Sequence, residues 1–280
     1  MITTPVALLV LISAAMHATW NCGLKTSPDR LLDTVGMTLA GSLLAACALP
    51  FVPPPAPASL PWMGLTVLVH IGYFLFLVES YRHADLSIAY PLMRGMAPLL
   101  VAATAPLMGE ALTPGLLAGV VLIGVGIMLP AWLGLLRGTV SQAGVGFACA
   151  NAFIIATYTL SDGHGVRLSG SALSYTLWLY FLNAWAILAI AWWQRGHAVV
   201  AHLRRRWAIA LTGALLSLGA YGIVLWAMTV APIPAVAALR ESSVIIAALL
   251  GTLLLKEMMG RWRIAGALLV ALGAAAIRWG

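Results

Sequence analysis

The sequence predicts an all-α polytopic membrane protein, with ten transmembrane helices arranged as two inverted five-helix repeats over residues 1–137 and 138–280. Three observations carry this expectation. Of 280 residues, 62% are hydrophobic and only 8% charged. A soluble domain carries about 25% charged residues, so this chain cannot clothe itself in a water-compatible surface. Its apolar runs are about 20 residues long, the length that crosses a bilayer as helix, and not the alternating segments of roughly ten residues that build a barrel. Distinctive residues also recur at one spacing along the chain.

The apolar windows fall at 5–24, 33–51, 61–81, 87–107, 113–134, 141–161, 171–193, 207–229, 235–255 and 262–279. The opening MITTPVALLVLISAAMHA lacks a basic leader, so it reads as a retained first helix capped by Thr3 or Thr4, with Pro5 in the first turn. The run Pro53-Pro54-Pro55-Ala56-Pro57 cannot be helical and marks a loop. Connections are short, leaving no room for an inserted soluble domain. Cys22, Cys47 and Cys149 show no paired spacing and read as small packing residues.

Gly119 and Gly126 in the fifth window recur as Gly266 and Gly273 in the tenth, 147 positions on. Glu110 recurs as Glu257 at the same separation, Arg94 as Arg240 at 146 and Tyr73 as Tyr221 at 148, while Trp20 corresponds to Tyr158 at 138. Five helices per half is an odd number, so the second half enters the membrane upside down, the plan of many secondary transporters. Gly115, Gly119, Gly124 and Gly126, with Gly266 and Gly273, give smooth faces suited to close packing, within the chain or between two copies in a homodimer.

Orientation follows from the basic residues. Loops after helices 1, 3, 5, 7 and 9 hold Lys25, Arg30, Arg82, Arg137, Arg195, Arg204, Arg205, Arg206, Lys256, Arg261 and Arg263, whereas the other side holds only Arg167 and Arg278. The positive-inside rule places the odd loops in the cytoplasm and both termini outside, in a bacterial-type inner membrane.

Arg94 and Arg240 are the remaining two cations, each inside a membrane window and each just after prolines (Pro91; Pro232 and Pro234). An arginine near the centre of a membrane helix costs roughly 2.5–3.5 kcal/mol on insertion scales. Such residues mark substrate or ion pathways, or else pair with an acid to lock helices together. The guanidinium fork suits a carboxylate or phosphonate, and the prolines free carbonyls that line a cavity better than they face lipid. The two arginines should straddle the midplane.

Glu241 follows Arg240 and points about 100° further around the helix, so the two should face different directions. Glu79 stands at the end of helix 3. Either acid could pair with an arginine, hold a substrate amine or carry a coupling proton. His17, Asn21 and Lys25 form a polar stripe on helix 1 beside Trp20, and Asn151, Ile155 and Tyr158 occupy the corresponding face of helix 6. Trp20, Tyr73, Tyr90, Tyr158, Tyr221 and Trp226 read as interior aromatics, which suit aromatic groups and organic cations alike. Trp178, Trp185, Trp192, Trp193, Trp262 and Trp279 read as core filler or interface belt. Asp162, His164 and Arg167 read as a solvated loop between helices 6 and 7.

Zinc-type Cys/His spacing, HExxH, GxSxG and a phosphate-binding loop for ATP are all missing from the sequence. No metal or cofactor is expected, and no enzyme. The net charge of +7 resides mostly in loops, with no basic aromatic patch able to follow a nucleic acid.

HATWNCGLK in helix 1, AYPLMRGMAPLLVA followed by GEALT around helix 4, and LRESSVIIAALLGTLLLKE around helix 9 resemble the EamA-like branch of the drug/metabolite transporter superfamily. The chain is also similar to a sub-branch associated with phosphonate use. The resemblance spans essentially the whole length as two five-helix units. It implies alternating access around a cavity lined by helices 1, 3, 4, 6, 8 and 9, and places His17, Asn21, Tyr73, Arg94, Tyr158, Tyr221, Arg240 and Glu241 near that cavity. Helix 6 carries Thr159 and Gly163 where Asn21 and Lys25 would have counterparts, so the site should be asymmetric.

The expected function is a secondary or facilitative transporter of a small anionic or zwitterionic metabolite, an amino acid or aminophosphonate. The substrate-binding candidates are Arg94, Arg240, Glu241, Glu79, His17, Trp20, Asn21, Tyr73, Tyr90, Tyr158 and Tyr221. An organic cation held by Glu79 and the aromatics is the alternative substrate, and an intramembrane receptor or enzyme the alternative class.

Overall fold

Among the described residues, ten helical stretches are long and apolar enough to cross a membrane. The structure, a computed structural model, describes residues 2–25, 27–84, 86–136, 141–255 and 260–280. Glu257, Arg137 and Lys256 lie outside these, as does the Lys25 side chain. Eleven α-helices follow one another: α1 (Thr4–Lys25), α2 (Arg30–Ala48), α3 (Leu60–His83), α4 (Leu86–Thr104), α5 (Pro114–Leu136), α6 (Gln142–Leu168), α7 (Ala172–Arg195), α8 (Ala198–Val230), α9 (Ile233–Arg240), α10 (Ser243–Leu255) and α11 (Arg261–Trp279). The first eight and the last are single spans; α9 and α10 together make the ninth.

Local chemistry sets the boundaries. Asp29 caps α2 by accepting from the Leu32 amide, and Ser141 and Ser171 do the same for α6 and α7 through the Gly144 and Ser174 amides. Apolar side chains such as Leu8, Leu43, Leu68, Phe153, Leu268 and Leu272 stand outward, where lipid replaces water as solvent. Trp192, Trp193, Trp262 and Trp279 are likewise exposed near helix ends, but Trp226 is 40% exposed and is not an interior residue.

Three boundaries differ from the sequence reading. Helix 6 continues to Leu168, so Asp162, His164 and Arg167 are helical. Helix 8 begins at Ala198 and breaks only at Arg206 (φ −118°, ψ 21°), where that arginine grips the Asp33 carboxylate through Nε and Nη2 at 2.8 and 2.9 Å. Helix 9 is interrupted at Glu241-Ser242. There the amides of Glu241, Ser242, Val244 and Ile245 bond three residues back in place of four, a 3₁₀-type tightening.

The glycine faces meet inside the chain. A Cβ built on Gly119 would lie 2.6 Å from the Gly273 carbonyl oxygen, and one on Gly126 would lie 2.7 Å from that of Gly266. Exchanging the halves so that 119 becomes 266 and 126 becomes 273 turns one contact into the other, as an internal two-fold requires. Since these faces bury each other, they are not free for a homodimer. Gly126→Val should cost about 1–3 kcal/mol by forcing backbones apart, read as a lower unfolding temperature in detergent. Gly146→Ala, inside α6 with nothing within 4 Å of its added carbon, should not lower that temperature and should raise it slightly, because alanine is the better helix former.

Candidate functional site

Inside the bundle lies a cavity of about 340 Å³. Nine of the eleven expected site residues line it: His17, Trp20 and Asn21 from α1, Tyr73 from α3, Tyr90 and Arg94 from α4, Tyr158 from α6, Tyr221 from α8 and Arg240 from α9. The lining is wider than expected, because α2 contributes Thr34, Met37 and Thr38, and α7 contributes Tyr180. His70, Ser13 and Ser217 also line it and were missed by sequence reasoning. The available signal was helical spacing, since Ser13, His70 and Ser217 each stand one turn before an expected site residue, His17, Tyr73 and Tyr221 respectively.

Helix interruptions position the arginines. Pro98, four residues beyond Arg94, has no N–H to give the Arg94 carbonyl, which loosens α4 where its cation stands. Arg240 ends α9 at the interruption. Both are buried, at 7% and 6% exposure, yet both reach the cavity.

Glu241, 1% exposed, sits behind them. Its Oε2 lies 2.8 Å from Arg94 Nε, and its Oε1 lies 3.7 Å from Arg240 Nη2. Because the tightened turn departs from regular α-helix, one carboxylate meets both guanidiniums. The expected divergence of Arg240 and Glu241 is thereby corrected. The Arg94 contact is a charge contact and not an aligned hydrogen bond, since Arg94 Nε and Nη2, Arg240 Nε and Glu241 Oε2 all lack a hydrogen-bond partner. Two cations therefore share one acid, with donor capacity left over.

Glu79 is not part of the lining. It pairs with Arg82 at 2.8 Å and faces His83 at 3.7 Å on its own helix. Asn151, fully buried, donates to Met93 Sδ at 3.0 Å and packs towards α4. Aromatic and imidazole rings build the walls: His17 meets Trp20 edge-on at 4.8 Å, and His70 lies 4.6 Å from Tyr158.

The acid that sequence reasoning placed in a solvated loop is the most enclosed one among the described residues. Asp162 is 0% exposed. Its Oδ1 accepts from Thr66 Oγ1 at 2.7 Å and from Tyr175 OH at 3.1 Å, and its Oδ2 accepts from Tyr221 OH. Glycine makes the approach possible, for a Cβ on Gly165 would stand 2.5 Å from the Tyr175 hydroxyl.

Arg167, also expected in solvent, closes the end of the bundle near the termini. Its Nε donates to the Met228 carbonyl at 2.7 Å, its Nη2 donates to the Ala231 carbonyl at 2.9 Å, and its Nη1 pairs with Glu110. Glu110 Oε2 in turn accepts from the Ile233 amide at the start of α9. Arg278 bonds Thr4, which places both chain ends on this same face. The cavity extends the other way, past Asn21 and Leu24 at the end of α1 and Thr34 at the start of α2.

The comparisons agree with this architecture. One solved crystal structure superposes with a TM-score of 0.70, covering 98% of this chain and 95% of that chain at 17% identity, a likeness of fold alone. No curated protein matches the chain. Residues 142–279, from the start of α6 to the end of α11, match the family model described as the EamA-like transporter family. Through that half, the chain belongs to the EamA-like transporter family, whose members are membrane transporters of small molecules.

Proposed function

We propose that this protein carries a small anionic or zwitterionic metabolite, of the amino-acid or aminophosphonate kind, by alternating access. The carrying observation is the charge imbalance in the cavity. Arg94 and Arg240 share the single carboxylate of Glu241 and keep unpartnered N–H groups. A substrate carboxylate or phosphonate supplies the missing acceptors, and charge-assisted bonds of this kind are roughly twice as strong as neutral ones. His17, Asn21 and the tyrosines shape the walls around the remainder of the substrate.

In this reading the halves 1–137 and 138–280 rock against each other. The form described here has its cavity extending towards the odd loops and is held shut by Arg167 and Glu110 at the termini face. The positive-inside rule applied to the basic loops supports a cavity facing the cytoplasm of an inner membrane, with both termini outside. The organic-cation alternative loses its acid, because Glu79 does not line the cavity and Glu241 lies behind the arginines.

Thermal unfolding of the purified protein tests the substrate class. 2-Aminoethylphosphonate or glycine should raise the unfolding temperature in a saturable way, by RT ln(1 + [L]/Kd) in free energy, and choline should not. Stabilisation by choline with none by the acids would overturn the reading. Accumulation of the stabilising compound in proteoliposomes separates a carrier from a receptor or enzyme, neither of which concentrates its ligand.

A further inference from the structure

We infer that Asp162 is a proton-binding site which exchanges its proton with the cavity through Tyr221, and that anion binding at Arg240 and proton binding at Asp162 reinforce each other. The inference rests on the reading of the cavity as an anion site.

The geometry carries it. A carboxylate buried in a membrane interior is normally matched by a cation, and among the described residues Asp162 has no Lys, Arg or His within ion-pair distance. Its partners are three hydroxyls on three other helices: Thr66 on α3, Tyr175 on α7 and Tyr221 on α8. A hydroxyl both donates and accepts. When Asp162 is ionised, all three donate to it. When it is protonated, Tyr221 oxygen can accept the new O–H while Thr66 and Tyr175 continue to donate to Oδ1. Both protonation states are therefore accommodated by rotating one hydroxyl. Tyr221 is also the partner that lines the cavity, so it offers the proton its route.

Helices α3, α4, α7, α8 and α9 all pack against α6. Of the titratable and charged groups they carry, Tyr175 and Tyr221 bond Asp162 directly, and His70, Tyr73, Tyr90, Arg94, Tyr180 and Arg240 line the adjoining cavity. The Asp162 helix itself adds Tyr158, His164 and Arg167. Arg240 lines the same cavity as Tyr221, the partner that bonds Asp162, so its positive charge acts on Asp162 across that cavity without contact. An anion seated on Arg240 cancels that field and leaves the carboxylate to favour a proton. By linkage the proton then strengthens anion binding by the same factor. Asp162 also lies one turn from Gly165 and five residues before Arg167, between the cavity and the Arg167–Glu110 closure. Proton occupancy is thus placed where it can bias which end of the bundle opens.

Infrared difference spectroscopy of the purified protein in lipid reads the proton directly, through the C=O stretch of a protonated carboxyl. Two arms are recorded, one an acidification without ligand and the other addition of 2-aminoethylphosphonate at constant pH. The band should grow in both arms, be lost in Asp162→Asn, and shift in frequency in Tyr221→Phe, which keeps ring volume and removes the relay hydroxyl. A band unchanged by Asp162→Asn, or no band in the acidification arm, overturns the proton site. If Asp162→Asn does not fold, an unshifted band in Tyr221→Phe overturns it instead. Thermal stabilisation by the phosphonate with no band in the second arm overturns the linkage while the anion reading stands. No stabilisation by any acid removes the anion reading, and the acidification arm still decides whether Asp162 binds a proton.

Discussion

Arg240→Gln should weaken anion binding severely and leave the fold intact, whereas Arg94→Ala should damage both. The asymmetry comes from how the one acid is shared. Arg94 Nε stands 2.8 Å from Glu241, and Arg240 is 3.7 Å away. Removing Arg240 leaves the Arg94–Glu241 pair, which is neutral overall and satisfied by charge. The cavity then has no cation in excess, and an incoming carboxylate meets only hydroxyls, amides and imidazoles. Truncating one member of a buried charge pair costs about 2–5 kcal/mol in binding, roughly 30-fold to several thousand-fold in affinity. Removing Arg94 instead leaves Glu241, 1% exposed, with only the longer 3.7 Å contact to Arg240, which must close on it. The protein then loses stability, and its last cavity cation is engaged. Isothermal titration with 2-aminoethylphosphonate, beside thermal unfolding, checks both statements. Equal destabilisation by the two substitutions would show that the arginines serve as a single structural lock.

Much of this arrangement was legible because charge in hydrocarbon is costly enough to be informative. Arg94 and Arg240 stood out by that cost alone, and the 147-residue recurrence of glycines anticipated the pairing of α5 with α11. Glu241 was noticed and its direction misjudged. The turn tightens at Glu241-Ser242-Ser243 without a proline or glycine to announce it, so regular helix geometry gave the wrong azimuth. Glu79 failed for a related reason. Leu77, two residues earlier, lines the cavity, and two residues on a helix turn a side chain to a different face.

Asp162 was hidden more thoroughly. A window of hydropathy treats an acid followed by glycine, histidine and glycine as the end of a span. What keeps the helix going is a set of hydroxyls on other helices, the nearest 13 and the furthest 96 positions away in sequence. Local pattern cannot register such partners. Asp33 shows the same thing at the other face, since its clamp by His202 and Arg206 joins residues 169 and 173 positions apart. Intramembrane cations advertise themselves, whereas intramembrane acids that have found hydroxyl or distant basic partners look like loop chemistry until the fold brings those partners in.

Glu241→Gln separates a binding site from a lock most sharply, because it removes the shared charge while keeping the side-chain volume. Both guanidiniums then face the cavity without an acid. An unpaired charge in a fully enclosed site costs about 3–5 kcal/mol, and less here because both arginines border a cavity. The ligand-free variant should therefore unfold at a clearly lower temperature than the parent protein. Added anion should then restore more than it gives the parent, since it now neutralises two cations instead of one. Stabilisation by 2-aminoethylphosphonate should accordingly rise in the variant, and its release should slow. Proteoliposome uptake should fall even so, because a carrier that holds its cargo too tightly turns over slowly. A variant destabilised to the same extent with and without anion would mean that Glu241 joins helices and nothing more, and the two arginines would lose their claim to a substrate.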